Sequence, residues 1–339
     1  MLTRRDALLG IAAVPLVAHA GKPPTQKMKF PPRLKPNDVV ALVSPAGAAS
    51  SEQGILDAMR NIESLGLRVK RMPSVGQSWG YLGGSDEQRA NDLNAAIRDE
   101  EVAGIICLRG GYGSMRILPQ LDYDGFAKTP KVLLGYSDIT ALLNAFARKS
   151  GVITFHGPIA EAKFLGFEGE NLRRAILDGR ELGVFPNPSE LSGDPVFPPL
   201  RTIISGRSKG RLIGGNLSLI EPCVGTAYGP DFTDAILFLE DVAEAPYRVD
   251  RMLTSLWLRG ELQKLKGIVF GDFRLPRDEP AEPGPDSFSM NQVFDNLRMW
   301  LSCPIFCGLH AGHIRDKLTL PIGGMVEMDA ELQTLRFVE

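Results

Sequence analysis

Cysteine and histidine are both scarce in this chain of 339 residues, with four of each. No Cys-x-x-Cys pair occurs and no metal-ligand cluster is apparent, so neither a metal nor another cofactor is expected. Neither sign of charge dominates: 38 Lys and Arg stand against 40 Asp and Glu, for a formal net charge of −2. No Lys/Arg-rich run with interleaved aromatics appears, which leaves nucleic-acid binding without support and points to a small-molecule or peptide partner. A Walker A lysine is missing too. Beyond the first 20 residues no apolar run reaches membrane-spanning length, so no stable membrane insertion is expected once that segment is removed. What the chain does have is a composition 44% hydrophobic and 23% charged, which suits a globular protein of about two domains.

The first 20 residues look like an export signal. Arg4-Arg5 precedes a mildly apolar stretch from Ala7 to Ala18, and Ala18-His19-Ala20 resembles an A-x-A cleavage site. A twin-arginine signal and a periplasmic location are the expectation. Ala7 and Leu9 stand where Phe and Lys are usual, so Sec-type export, an uncleaved anchor and a cytoplasmic location are the alternatives. Removing the segment shifts the formal charge to −3. A disulfide is permitted in the periplasm, and Cys303 with Cys307 is the pair to consider. Cys107, inside Ile105-Ile106-Cys107-Leu108, reads as a buried thiol.

A Pro-rich lead over residues 21–36 opens onto alternating strands and helices. Strands are expected at Val39 to Val43, Leu67 to Lys70, Gly104 to Leu108, Lys131 to Tyr136 and Val152 to Phe155, with helices at Glu52 to Leu65 and Asp86 to Ile97. Such alternation implies a parallel, flavodoxin-like α/β domain over residues 37–182, with ligands at the carboxyl ends of the strands. Proline then clusters at Pro186, Pro188, Pro195, Pro198 and Pro199, and residues 183–205 read as a linker. The remainder, residues 206–339, carries short strands at Leu212 to Ile213, Ala235 to Leu239, Gly267 to Phe270, Leu318 to Leu320, Met325 to Met328 and Thr334 to Val338. It reads as a β-rich second domain with mixed pairing.

Ser137 is the first candidate for chemistry. It follows the expected strand Lys131 to Tyr136 and precedes a helical pattern marked by Ile139, Leu142, Leu143 and Phe146, so its hydroxyl stands at the carboxyl end of a parallel sheet. The backbone N–H of Asp138 at the helix start is an oxyanion donor in waiting. Serine is also a common helix N-cap, and taken alone the segment favours that reading. Gly-rich Arg109-Gly110-Gly111-Tyr112-Gly113-Ser114 is the second feature: it offers backbone amides to a ligand, or is simply a tight turn. Outside the signal the histidines are His156, His310 and His313. His156 ends an apolar strand and reads as a satisfied structural residue, whereas either His310 or His313 could serve Ser137 as a base. Glu240, at the end of Ala235 to Leu239, is the candidate carboxylate to orient that base, with Asp241 and Glu221 competing.

Seven motifs occur in one order: Gly80-Tyr81-Leu82-Gly83-Gly84-Ser85-Asp86 with Arg89; Arg109-Gly110-Gly111-Tyr112-Gly113; Gly135-Tyr136-Ser137-Asp138-Ile139-Thr140; Phe155-His156-Gly157-Pro158; Gly214-Gly215-Asn216-Leu217; Leu239-Glu240-Asp241 with Pro246-Tyr247-Arg248-Val249-Asp250-Arg251-Met252-Leu253; and Gly312-His313 with Leu320-Pro321-Ile322-Gly323. Together, from about Val39 onward, they resemble the LD-carboxypeptidase family, the murein tetrapeptide carboxypeptidases that include the microcin C immunity peptidases. The resemblance implies a Ser137, His313, Glu240 triad, oxyanion donors at Gly111 and Asp138, substrate contacts at Arg109, Gly110 and Tyr112, and a homodimer. It also implies hydrolysis of the bond between an L-configured diamino acid and a terminal D-alanine in a murein tetrapeptide. A hydrolase of peptidyl-aminoacyl nucleotide analogues and a periplasmic binding protein are the alternatives. The first of these needs an aromatic platform, for which Trp79, Trp257 and Trp300 are the tryptophans available.

Overall fold

The computed structural model describes residues 28–177, 182–187, 196–275 and 287–338. The expected export signal, residues 21–27 of the Pro-rich lead and residues 188–195 of the expected linker lie outside them.

In the first half, β1 (Val39–Val43), β2 (Arg68–Arg71), β3 (Val102–Cys107), β4 (Val132–Gly135) and β5 (Thr154–His156) follow the expected runs to within about two residues. Apart from β2, at the edge, they are almost wholly buried, as suits strands covered by helices on both faces. They pair in parallel in the order β5-β4-β3-β1-β2, the flavodoxin-like arrangement. Chain direction across the sheet reverses between β1 and β3. The loops after those strands, Ser44 to Gly47 and Arg109 to Ser114, therefore flank a crevice at the carboxyl edge. The helices start where the sequence signals them: Ser51 caps Glu52–Glu63, and Ser85 with Gln88 forms a capping box on Asp86–Arg98.

In the second half come β6 (Arg201–Ile204), β7 (Arg207–Asn216), β8 (Ala235–Val242), β9 (Gly267–Arg274), β10 (Ile305–Cys307), β11 (Leu320–Ile322), β12 (Met325–Asp329) and β13 (Thr334–Phe337). Seven of these make a second sheet, β13-β12-β7-β8-β9-β10-β6, parallel at its centre and antiparallel at both margins.

Three features depart from the sequence reading. Strand β6 lies inside the expected linker, because the β-branched Thr202-Ile203-Ile204 follows the last proline of that run and pairs with β10. Strand β10, only three residues long, carries too little pattern to be read. Strand β11 belongs to the first sheet, pairing antiparallel with β5 through Leu320↔His156 and Ile322↔Thr154. Leu320 and Ile322 are fully buried in the first core, and Pro321 is tolerated because the strand is at an edge. The chain thus returns to its first half after building the second sheet, and the segment between β10 and β11 crosses from one sheet to the other.

The helix Thr140–Ser150 also ties the two halves together. Asn144 donates from Nδ2 to the Gly214 carbonyl at 2.8 Å and accepts from the Gly214 N–H at 3.0 Å, while the Asn216 N–H donates to Thr140 Oγ1 at 3.0 Å. The end of β7 is thereby fixed to the helix that follows Ser137. Among the described residues all four cysteines are free, and no helix is long and apolar enough to cross a membrane.

Candidate active site

Ser137 does not cap a helix. It has φ 62°, its side chain makes no capping bond, and a 3₁₀ turn over Ser137–Ile139 separates it from Thr140–Ser150. A left-handed serine costs on the order of 1 kcal/mol or more and persists only where the surroundings impose it. The freed hydroxyl has another partner: His313 Nε2 lies 3.0 Å from Ser137 Oγ. On the far side of the ring, His313 Nδ1 lies 2.7 Å from Glu240 Oε2. The three residues come from the loop after β4, the crossing between β10 and β11, and the end of β8, so the site exists only when both sheets are assembled.

Local sequence explains how each side chain is aimed. The β8/β9 register shifts between Leu239 and Asp241, a bulge at Glu240 that turns its carboxylate toward the crossing segment. Asp241, one residue on, points the other way and accepts from Asn216 Nδ2 and from the Ser218 N–H and hydroxyl. Glu221 is taken by Ser255 and Arg259. Neither competitor reaches a histidine. Gly312, before His313, is required twice over: its φ is +124°, and a Cβ there would lie 3.0 Å from both Cβ and Oε2 of Glu240. His310 is turned away, with Nδ1 2.7 Å from Asn187 Oδ1.

Electrostatics keep the row poised. Burial opposes charge on Glu240, but His313 and His156 outweigh it and hold the carboxyl down at about 2. Burial also opposes charge on His313, and the Glu240 carboxylate overcomes this to hold the imidazole above its ordinary value.

The glycine loop closes over Ser137. A Cβ on Gly110 would fall 2.8 Å from Ser137 Cβ, 3.0 Å from its Oγ and 3.5 Å from the Asp138 N, so only glycine permits this approach. Asp138 is buried and its carboxylate accepts from the Ser114 N–H at 2.8 Å, while the Ser114 hydroxyl donates to the Asp138 carbonyl at 2.6 Å. Arg89, fully buried, donates to the carbonyls of Pro45, Gly84 and Gly113, tying the loops that flank the crevice. Arg109 Nη1 donates to the Ala48 carbonyl at 3.1 Å, and its Nε is buried without a partner. Tyr112 is half exposed and meets Tyr81 edge to face. A nucleophile with an aligned base, an orienting carboxylate and a close-packed glycine loop has the parts of an acyl-transfer site.

Residues 40–157 match the LD-carboxypeptidase N-terminal domain and residues 209–328 the LD-carboxypeptidase C-terminal domain. The chain belongs to the LD-carboxypeptidase family. The probable murein peptide carboxypeptidase of Bacillus subtilis (strain 168) is 34% identical over 305 residues, covering 90% of this chain and 92% of that one. The murein tetrapeptide carboxypeptidase of Pseudomonas aeruginosa is 33% identical over 291 residues, covering 84% and 91%. In fold the chain is similar to MccF, solved in complex with glutamyl sulfamoyl guanosine, with a TM-score of 0.82 at 22% identity over 93% of this chain and 99% of that one.

Two buried features beside this LD-carboxypeptidase site lay outside the sequence reading of its chemistry. His156 is buried as expected but is not satisfied: neither ring nitrogen has a hydrogen-bond partner, and Nε2 lies 3.7 Å from Glu240 Oε1, which is also unpartnered. The Phe-His-Gly-Pro motif was its signal. Lys317 and Glu168 form a buried ion pair at 3.4 Å. Neither residue falls in a motif that the sequence reading singled out.

Proposed function

We propose that this protein is a serine carboxypeptidase that removes the terminal D-alanine from murein tetrapeptides by cleaving its bond to an L-configured diamino acid. The observation that carries the proposal is the unbroken run Ser137 Oγ, His313 Nε2, His313 Nδ1, Glu240 Oε2, at 3.0 and 2.7 Å, on a chain of the LD-carboxypeptidase family.

His313 takes the Ser137 proton as Oγ attacks the carbonyl carbon of the diamino acid. The oxyanion then faces the amides of Gly111 and Asp138. His313 returns the proton to the departing amine, and an ester to Ser137 remains. Water, deprotonated by His313, attacks that ester and frees the tripeptide. Throughout, Glu240 stays ionised, holds the imidazole tautomer and balances the imidazolium.

An aromatic cluster favours a second reading. Trp79, Tyr81 and Tyr112 are exposed, with Tyr81 and Tyr112 rings 5.7 Å apart beside the glycine loop, a surface on which a nucleobase could stack. Trp257 and Trp300 stack on each other against the second core and are not part of it. Incubation with a disaccharide tetrapeptide, its pentapeptide analogue and a peptidyl-adenylate mimic, with products identified by mass, decides between the readings. The carboxypeptidase loses one alanine from the tetrapeptide alone. Cleavage of the adenylate mimic alone would establish the second reading instead.

We also propose that the enzyme acts in the periplasm as a homodimer, on the strength of Arg4-Arg5 and the family resemblance. Cell fractionation and light scattering test the two statements separately.

A further inference from the structure

The reaction divides the space around Ser137 into two sides. His313 hands its proton to the leaving amine, so the departing alanine lies on the His313 side and the acyl portion opposite it. The alanine carboxylate is only two bonds from that amine. An enzyme that accepts chain ends alone needs a group there that distinguishes a carboxylate from a peptide bond.

The crossing segment that carries His313 also carries Lys317, which is 5% exposed. Its Nζ lies 4.8 Å from the centre of the Tyr136 ring; that ring lies 4.9 Å from the ring of His313, and Tyr136 immediately precedes Ser137. Arg315, the other cation of the segment, is exposed. Among the described residues Lys317 Nζ has a single hydrogen bond, a long one of 3.4 Å to Glu168 Oε1 in the first turn of the helix Gly166–Ile176. An ammonium has three donors, and a buried one with one long bond is under-satisfied. A loose buried pair of this kind is also a poor device for stability, since desolvating both charges costs more than such a contact returns. Separated from the His313 ring by the Tyr136 ring alone, with donors to spare, it fits a ligand carboxylate.

We propose that Lys317, held by Glu168 above the Tyr136 ring, binds the terminal carboxylate of the substrate and makes the enzyme a carboxypeptidase rather than an endopeptidase. The proposal rests on the assignment of Ser137, His313 and Glu240 given above.

The test compares a murein tetrapeptide with the same peptide carrying a C-terminal carboxamide, reading kcat and KM by release of alanine or alaninamide. Wild-type enzyme should favour the free acid by about 100-fold in kcat/KM, the scale of one charged hydrogen bond. In Lys317→Met that preference should collapse to within a few-fold of unity, mainly through KM for the acid, and Lys317→Arg should restore most of it. A wild-type enzyme that cleaves acid and amide equally overturns the proposal without any variant. So does a Lys317→Met enzyme that keeps the wild-type ratio. Wild-type protein inactive on both peptides would instead overturn the functional assignment on which the proposal stands.

Discussion

His156 Nε2 faces Glu240 Oε1 across 3.7 Å, deep between β5 and β8, and neither atom has another partner. Glu240 therefore stands between two imidazoles, bonded to His313 through one oxygen and backed by His156 through the other. With the His156 proton on Nε2, a small approach makes the second contact a charge-assisted hydrogen bond. Replacing His156 by Phe keeps an apolar ring in an apolar setting and removes that donor. Turnover should fall about tenfold, and the acid limb of kcat/KM should move to higher pH, because a carboxylate freed of one donor pulls harder on the His313 proton. A loss of amplitude with an unmoved limb would show that His156 only fills space.

Gly312 supplies a test of the geometry itself. A methyl group there would meet Glu240 at 3.0 Å in a backbone conformation of φ +124° that alanine resists. Gly312→Ala should thus lower kcat by at least about 100-fold, the consequence of a displacement near 1 Å at a catalytic pair, while circular dichroism stays native. Wild-type kcat in that variant would contradict the close packing of Gly312 on Glu240.

The pH dependence follows from the direction of the His313 shift. The base acts only when neutral, and its folded pKa is raised above the ordinary 6.5. Activity should therefore appear as pH rises through a midpoint above 6.5. The signs for stability are opposite for the two partners. The His313 contribution is full below 6.5 and fades as pH rises through the higher folded value. The Glu240 contribution is present above 4.5 and is lost as pH falls toward about 2. A kcat/KM midpoint below 6.5 would show that His313 is not held up by Glu240.

The parallel first domain was legible because β1, β3 and β4 are unbroken apolar runs and the caps at Ser51 and Ser85 are explicit. The strand expected at Leu318 to Leu320 forms as β11 at Leu320–Ile322, and in the first sheet instead of the second domain, because nothing local in so short an apolar run says which sheet it joins. The choice of His313 over His310 came from family resemblance. Its physical ground, the turn at Gly312 that sends His313 toward Glu240 and leaves His310 with Asn187, is a tertiary fact. Ser137 looked most like a cap because its left-handed backbone leaves no trace in the residue type.

The two histidines separate cleanly in a mutant cycle. His313→Ala should lose as much activity as Ser137→Ala, and the double variant should be little worse, since members of a triad act as a unit. His310→Ala should keep most activity, because its ring bonds Asn187 and not Ser137. The reverse ranking would mean that the crossing segment is threaded differently.

The central claim is that Ser137 carries the acyl group. Rapid quenching of the enzyme with a murein tetrapeptide, followed by peptide mass mapping, tests it most directly. The account predicts a tripeptidyl adduct on the peptide containing Ser137, absent in Ser137→Ala, whose kcat should drop by roughly 10⁴-fold or more. Turnover of the tetrapeptide by Ser137→Ala at near wild-type rate, with no adduct on either protein, would contradict it.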